Sequence, residues 1–203
     1  MAGDDDAFIA KYNSTGTMQW VKQVGASGRD IINAAVIDSD GNVYAGGWFA
    51  GSVTIGGGTL TASGAADVML IKYNSSGNVQ WAVKGGGTGI DNSDPVSRMA
   101  MDSSGHVIMS SRFQNTATFG SKSVTSAGGD DVALIAFDSS GNVKWAVKGG
   151  GTAQDFPFVV AADTDGNVYT GGYFKSTPAT FGAHSLSNTG NADAFVVKVK
   201  VSE

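Results

Sequence analysis

Three tryptophans recur in nearly the same sequence context, and their spacing limits what this chain can fold into. Trp20, Trp81 and Trp145 are 61 and 64 residues apart, in the words TGTMQWVKQVG, SGNVQWAVKGG and SGNVKWAVKGG. Self-similarity at a fixed period indicates stacked copies of one supersecondary unit. The chain is therefore predicted to consist of copies of a unit about 62 residues long.

Three further series share this period. An aspartate heads the words DSDGNVY, DSSGHVI and DTDGNVY, at Asp38, Asp102 and Asp163. A phenylalanine follows each of them, at Phe49, Phe113 and Phe174. The last series has four members, in the words DAFIAKY, DVMLIKY, DVALIAF and DAFVVKV. The sequence thus contains three full periods and one surplus segment.

Each unit is predicted to be built from β-strands. Runs rich in Val, Ile, Ala, Phe and Tyr alternate with Asn/Asp-Ser-x-Gly-Asn clusters, which are typical of hairpin turns. No segment shows an apolar period of 3.6 residues over a helical length. In the first unit, strands a, b, c and d are expected at 31–38, 42–49, 67–73 and 78–84. The Gly/Ser/Thr-rich insertion between b and c is expected to form a small extra hairpin.

The side chains change in size across the unit. Strand a carries small residues such as Ala34 and Ala35, whereas strand d carries the tryptophan and Lys84. This gradient suits a propeller blade whose first strand crowds a central axis. The predicted fold class is therefore all-β, with β-propeller blades in a single domain over 1–203. The expected parts are N-terminal c and d strands at 6–24, blades at 31–84 and 95–148, and an incomplete blade at 156–199.

Composition excludes several classes of protein. Thirteen basic against eighteen acidic side chains give a net charge of −5, which argues against a nucleic-acid partner. The absence of cysteine excludes disulfides and thiolate metal sites. No apolar run is long enough for a membrane span, and the start MAGDDD has neither region of an export signal, so we expect neither in this sequence.

The repeat resembles a known family. The words DAFIAKYNSTGTMQW, AAVIDSDGNVYAGGWF, TATFG and GGDDVALIAFDSSGNVKW are similar to the SBBP-type (seven-bladed beta-propeller) bacterial repeat family. The resemblance covers essentially the whole chain. It implies propeller blades in a secreted or surface-exposed protein, and hence an extracellular or cell-surface location. It implies no shared catalytic residue.

The number of units predicts a partner. Closed propellers need at least about four blades, so three units cannot close around an axis. The N-terminus lacks strands a and b, and the C-terminus lacks strand d. We therefore expect the chain to associate with itself, as a homodimer with six blades in which strand 17–24 completes the partner's blade at 156–199. The alternative is a filament in which each molecule donates its surplus strand to the next.

The word D-x-D-G-N presents candidate calcium ligands. It occurs twice, at Asp38 and Asp40 and again at Asp163 and Asp165. Calcium loops also place carboxylates at alternating positions before a glycine, but the bidentate glutamate of an EF-hand is missing here. A hairpin turn with Asx hydrogen bonds explains these copies and the Ser104 variant, and we favour it. No cofactor is expected other than this calcium alternative.

Two further sets are candidate ligand-binding residues on the rim of a propeller. The glycine-rich d-to-a loops end in Asp30, Asp91 and Asp155, which either form a ring of carboxylates or cap turns. At the end of strand b the units differ, and Trp48, Arg112 and Tyr173 occupy equivalent positions. Aromatic and polar groups on a rim suit sugar stacking or a protein contact, and packing between blades explains them equally well.

The sequence favours a non-enzymatic extracellular binding or structural module. Neither histidine has a serine or aspartate that the repeat brings near it, so no catalytic triad is predicted. Two alternatives stay open. One is a carbohydrate-binding lectin that uses the rim aromatics, and the other is a hydrolase or lyase that uses the rim carboxylates. A glycan or a surface protein is a possible partner of the module.

Overall fold

The computed structural model describes residues 4–26, 28–91 and 98–200, and all regular structure within them is β. Two strands precede the first unit, β1 (Ala7–Tyr12) and β2 (Met18–Val24). The first unit contains β3 (Asp30–Ile37), β4 (Val43–Phe49), β5 (Ser52–Ile55), β6 (Gly58–Thr61), β7 (Asp67–Tyr73) and β8 (Val79–Gly87). The predicted strands a, b, c and d are β3, β4, β7 and β8. Their ends lie within three residues of the predicted ones.

The second and third units repeat this order. The second contains β9 (Arg98–Met101), β10 (Val107–Phe113), β11 (Thr116–Phe119), β12 (Lys122–Thr125), β13 (Asp131–Phe137) and β14 (Val143–Gly150). The third contains β15 (Asp155–Ala162), β16 (Val168–Phe174), β17 (Ala179–Phe181), β18 (His184–Leu186) and β19 (Asp193–Val199). Each insertion forms a hairpin, β5–β6, β11–β12 or β17–β18.

The sheets are larger than the four strands that the sequence indicated. The first complete sheet has the order β12-β11-β8-β7-β4-β3, and the second has the order β18-β17-β14-β13-β10-β9. The insertion hairpin of one unit therefore extends the sheet of the unit before it. Glycine makes this possible, because a Cβ at Gly85 would lie 2.1 Å from the Phe119 ring, and one at Gly149 would lie 2.0 Å from the Phe181 ring.

Successive sheets pack face to face, as propeller blades do. The largest core lies between the first and second units and includes Tyr44, Leu70, Met109 and Ile135. The first strands of the units, β3, β9 and β15, contact one another in series and lie on one side of the array. The fold is thus consistent with the predicted β-propeller type.

The two ends of the array are incomplete. In the described residues β1 pairs only with β2, and β19 pairs only with β16, so that the last sheet is β15-β16-β19. Each of these strands therefore has one edge without a β partner. Within the same ranges, there is no helix long and apolar enough to cross a membrane.

Candidate functional site

The three rim aspartates cap loops. Asp30, Asp91 and Asp155 are buried, and Asp30 and Asp155 are the first residues of β3 and β15. Asp155 accepts hydrogen bonds from the main-chain N–H groups of Gly151 (2.8 Å), Lys175 (3.0 Å) and Ser176 (3.2 Å), and from the Ser176 hydroxyl (2.6 Å). It thereby ties the loop before its own strand to the loop after β16.

The other two aspartates act in the same way with fewer donors. Asp91 accepts from the N–H groups of Gly87 and Gln114, the second at 3.1 Å. Asp30 accepts from the N–H of Ala26 at 2.8 Å, and its Oδ1 is buried without a partner. The similar spacing of these residues reflects a repeated loop anchor, and their carboxylates do not face open solvent.

A second buried carboxylate lies beside two of the anchors, Asp67 near Asp91 and Asp131 near Asp155. Asp67 accepts from the N–H of Ser63 (2.9 Å) and from Lys84 Nζ (2.8 Å). Asp131 accepts from the N–H of Ala127 (2.7 Å), and its Oδ1 is buried without a partner. Burial raises the pKa of Asp131 to about 6, and the nearby Asp155 carboxylate adds to the shift. Burial likewise raises the pKa of Asp91 to about 6.

Asp131→Asn should stabilise the protein at pH 7.5 by about 1 kcal/mol. The amide can accept from the Ala127 N–H as the acid does. Its Nδ2 can donate toward Asp155, because Asp131 Oδ1 and Asp155 Oδ2 lie 2.5 and 2.9 Å from the point where a Cβ on Gly150 would stand. In the wild type, folding raises the pKa of Asp131 above the ordinary aspartate value of 3.8, so the free energy of unfolding should fall as pH rises from about 4 to about 6.

Urea unfolding at several pH values checks this. As the pH rises, the free energy of unfolding should fall less for Asp131→Asn than for the wild type. Asp138→Asn is the matched control, because Asn13 and Asn74 already stand at its position and accept the same turn N–H groups. It should change the stability at pH 7.5 by less than about 0.5 kcal/mol. An Asp131→Asn protein less stable than the wild type at pH 7.5 would contradict the expected result.

The D-x-D-G-N words form Asx turns. Asp163 Oδ1 accepts from the N–H groups of Asp165 (3.0 Å) and Asn167 (2.8 Å), and its Oδ2 accepts from Asn167 Nδ2 (2.7 Å). The Asn167 hydrogen bonds lower the pKa of Asp163 to about 2. Asp38 is held in the same way, and Asp40, like Asp165, donates only its main-chain N–H to this turn.

The favoured Asx-turn interpretation therefore describes the observed geometry. In the second unit, His106 replaces the asparagine and its Nδ1 lies 3.0 Å from Asp102 Oδ2, so the expectation that neither histidine has an aspartate nearby was wrong for His106. A metal would have to compete with the donors of these turns. Across the ranges that the structure describes, no three His, Asp or Glu side chains lie close enough to hold one ion.

Trp48, on β4, is buried. It is 4% exposed, and the Arg29 guanidinium lies 5.5 Å from the centre of its ring. Its ring faces are therefore covered, and the packing interpretation that the sequence left open fits this residue.

Arg112 and Tyr173 meet at a different junction, through a ring that the sequence did not single out. Arg112 forms an ion pair with Asp130 at 3.2 Å, and its guanidinium lies 5.1 Å from the centre of the Phe156 ring. Tyr173 stacks on Phe156 at 5.1 Å and meets Phe158 edge-on at 5.4 Å. These residues form a partly exposed cluster between the second and third units. Phe156 has no aromatic counterpart in the other units, so the repeat did not point to it.

A recurrent contact joins each tryptophan to the next unit. Trp20 Nε1 donates to the Ser75 carbonyl at 3.1 Å, and Trp81 Nε1 donates to the Ser139 carbonyl at 3.2 Å. Each acceptor lies in the turn between strands c and d of the following unit. Trp145 has no such acceptor in the described part of the chain. Instead, it lines a cavity of about 530 Å³. The sequence shows three such turns and three tryptophans, but not that their contacts are offset by one unit.

Comparison with known proteins agrees with this architecture. The family model described as SBBP, beta-propeller repeat, matches residues 19–48, which run from β2 to β4. The chain is also similar to "Regulatory protein FlaEY" of Caulobacter vibrioides, with 27% identity over 148 residues. That alignment covers 69% of this chain but 15% of the relative, so the chain corresponds to a small part of the relative's length. The chain thus carries an SBBP-type beta-propeller repeat at residues 19–48, as the sequence resemblance predicted.

Proposed function

We propose that this chain is a non-enzymatic binding or structural module, extracellular or at a cell surface, that associates with a second copy of itself through its incomplete end sheets. The observation that carries the proposal is the exposure of large apolar side chains at repeat positions that are buried elsewhere in the same chain.

The equivalent positions differ sharply in exposure. Phe8 on β1 is 69% exposed, whereas Phe195, its counterpart on β19, is 3% exposed. Val196 on β19 is 80% exposed, whereas Leu134, its counterpart on β13, is 3% exposed. Burying one such side chain stabilises a structure by about 1.5–3 kcal/mol. Both exposed side chains lie on strands that also have an edge without a β partner, and such edges favour strand addition.

The proposed contact is an exchange of strands. The β1–β2 hairpin of a second copy takes the place of β19 beside β16 and adds the missing strand d. The words DAFIAKY and DAFVVKV share an aspartate, alanine, phenylalanine and lysine in register, so β1 can take this place. The ring centres of Phe195 and Phe181 lie 4.7 Å apart. In the exchanged arrangement, Phe8 takes the place of Phe195 and packs against the Phe181 ring. Two copies that exchange hairpins make six blades.

Other observations support a role without catalysis. The rim carboxylates accept main-chain N–H groups and serve as loop anchors, as described above. The relative from Caulobacter vibrioides is named a regulatory protein, a name that fits a binding role. Neither observation identifies a second ligand, so the proposal names the chain itself.

The wild-type chain of 20.6 kDa should run as a species of about 41 kDa in light scattering, and Phe8→Asp should convert it to a monomer. The charge cannot be buried against Phe181 without a large desolvation cost. Because Phe8 is exposed in the isolated chain, the variant should unfold at about the same urea concentration as the wild-type monomer.

Ile90→Asp is the matched control, because Ile90 is also exposed, at 37%, but lies in a loop between complete sheets. It should leave the mass at about twice 20.6 kDa. If the wild type forms a ladder of larger species and Phe8→Asp abolishes it, the proposed contact is supported, but the assembly is the filament and not the ring. A wild-type monomer at all concentrations would overturn the proposal.

A further inference from the structure

The cavity beside Trp145 corresponds to the sites beside Trp20 and Trp81, each of which is occupied by a turn of the following unit. Around Ser75, one wall is the Trp20 ring and the other is the turn that contains Gly41, where a Cβ would lie 3.5 Å from Ser75 Cβ. At the cavity, the corresponding walls are Trp145 and the turn that contains Gly166.

The filled sites show what shape of ligand fits. In the turn at 74–78, the side-chain oxygen of Asn74 accepts the N–H groups of Ser76 and Asn78, and Gly77 adopts a φ of +79°. The glycine lies against the indole, because a Cβ on Gly77 would be 2.8 Å from the Trp20 ring. The turn at 138–142 repeats this arrangement with Gly141 against Trp81, where a Cβ would be 3.2 Å from the ring.

One more turn between strands c and d has this shape, at 13–17, and no tryptophan of the described residues lies against it. Asn13 accepts the N–H groups of Thr15 and Thr17, and Gly16 adopts a φ of +79°. A Cβ on Gly16 would meet no atom of the described residues within 4 Å. In the described structure, Trp145 therefore has no turn bound against it, and the turn at 13–17 has no tryptophan against it.

We infer that the cavity beside Trp145 binds the turn at 13–17 of a second copy, with Trp145 Nε1–H donating to the Ser14 carbonyl and Gly16 lying on the indole. This rests on the proposed exchange of hairpins, which brings that turn to the cavity. Lys200, which lines the cavity and directly follows β19, leaves it when β19 is displaced. The inference makes the self-association specific, since the indole selects a turn that begins with Asn or Asp and has Gly three residues later.

The test uses analytical ultracentrifugation and indole NMR of the full chain. Trp145→Phe keeps an apolar ring but loses the donor, and a two-fold ring contains the contact twice. The dissociation constant should therefore rise about ten- to a hundredfold. In the wild type, the Trp145 Nε1–H signal, assigned by its loss in the variant, should shift and exchange more slowly with solvent as concentration rises.

Trp81→Phe is the matched control, because its acceptor Ser139 lies in the same chain. It should lower the stability of each chain and leave the dissociation constant within about twofold. The inference would be overturned if the Trp145→Phe dimer had the same dissociation constant as the wild type and the Trp145 signal did not change with protein concentration. The self-association itself would then still stand. A chain that stays monomeric would overturn both.

Discussion

Replacing Gly47 with alanine should lower the free energy of unfolding by about 3 kcal/mol or more, measured by urea denaturation. A Cβ at Gly47 would lie 1.8 Å from the Ile31 carbonyl oxygen and 2.9 Å from Ile32 Cα. Both are backbone atoms of the paired strand β3, so no side-chain rotation relieves the overlap. The strands would have to separate where they are most closely packed.

The cause of the close approach is a β-bulge. The register of β3 on β4 shifts between Ile32 and Ala34, and Gly47 pairs with Ile32 at that point. A bulge bends its strand and brings part of its backbone toward the partner. The third unit repeats the feature, with a shift between Pro157 and Val159 and a Gly172 Cβ that would lie 1.8 Å from the Phe156 carbonyl oxygen.

The second unit supplies the matched control. Ser111 stands at the position of Gly47, and it is buried, yet its Cβ is tolerated. The described pairing of β9 with β10 runs from Val107 to Ser110 and does not reach Ser111. Ser111→Ala should therefore cost only about 1 kcal/mol, for the hydrogen bond of its hydroxyl to the Arg112 carbonyl. Equal losses in the two variants would contradict the bulge as the cause.

The sequence was sufficient to predict the strands of each unit, but not how the strands of neighbouring units pair. Strands a to d followed from turn chemistry and apolar runs, which are local. The words VKGGG and TATFG were both visible in the sequence. However, they form one contact, Gly85 with Phe119, between different units, and neither word alone specifies the other as its partner. The extension of each sheet by the next insertion was therefore missed.

The candidate site, too, was predicted only in part from the sequence. Regular spacing identified Asp30, Asp91 and Asp155 as equivalent, and it left open whether they cap loops or hold a ligand. The answer depends on burial and on donors about 20 residues away, such as Ser176 for Asp155. Trp48 and Tyr173 likewise share a repeat position but differ in exposure, because different side chains cover them: Arg29 lies over Trp48, and Lys175 lies 5.8 Å from the Tyr173 ring centre.

Asp155→Ala should lower the free energy of unfolding by about 3–5 kcal/mol. The change leaves the N–H groups of Gly151 and Ser176 and the Ser176 hydroxyl without their acceptor in a buried loop. The Lys175 N–H keeps a second acceptor, the Gln154 carbonyl at 3.1 Å. Each buried donor without a partner costs about 1–3 kcal/mol, and water entering the space offsets part of the sum. Thermal or urea unfolding of the variant measures the loss.

Asp30→Ala is the matched control, since it removes the equivalent anchor in the first unit but, among the described residues, frees only the N–H of Ala26. It should cost about 1 kcal/mol, because the buried and unpartnered Oδ1 of Asp30 is removed at the same time. The difference between the two variants therefore reports how many donors each carboxylate holds. If Asp155→Ala unfolds at the same urea concentration as the wild type, this carboxylate does not anchor the loop, and a ligand on the rim becomes the better explanation for its recurrence at the head of every unit.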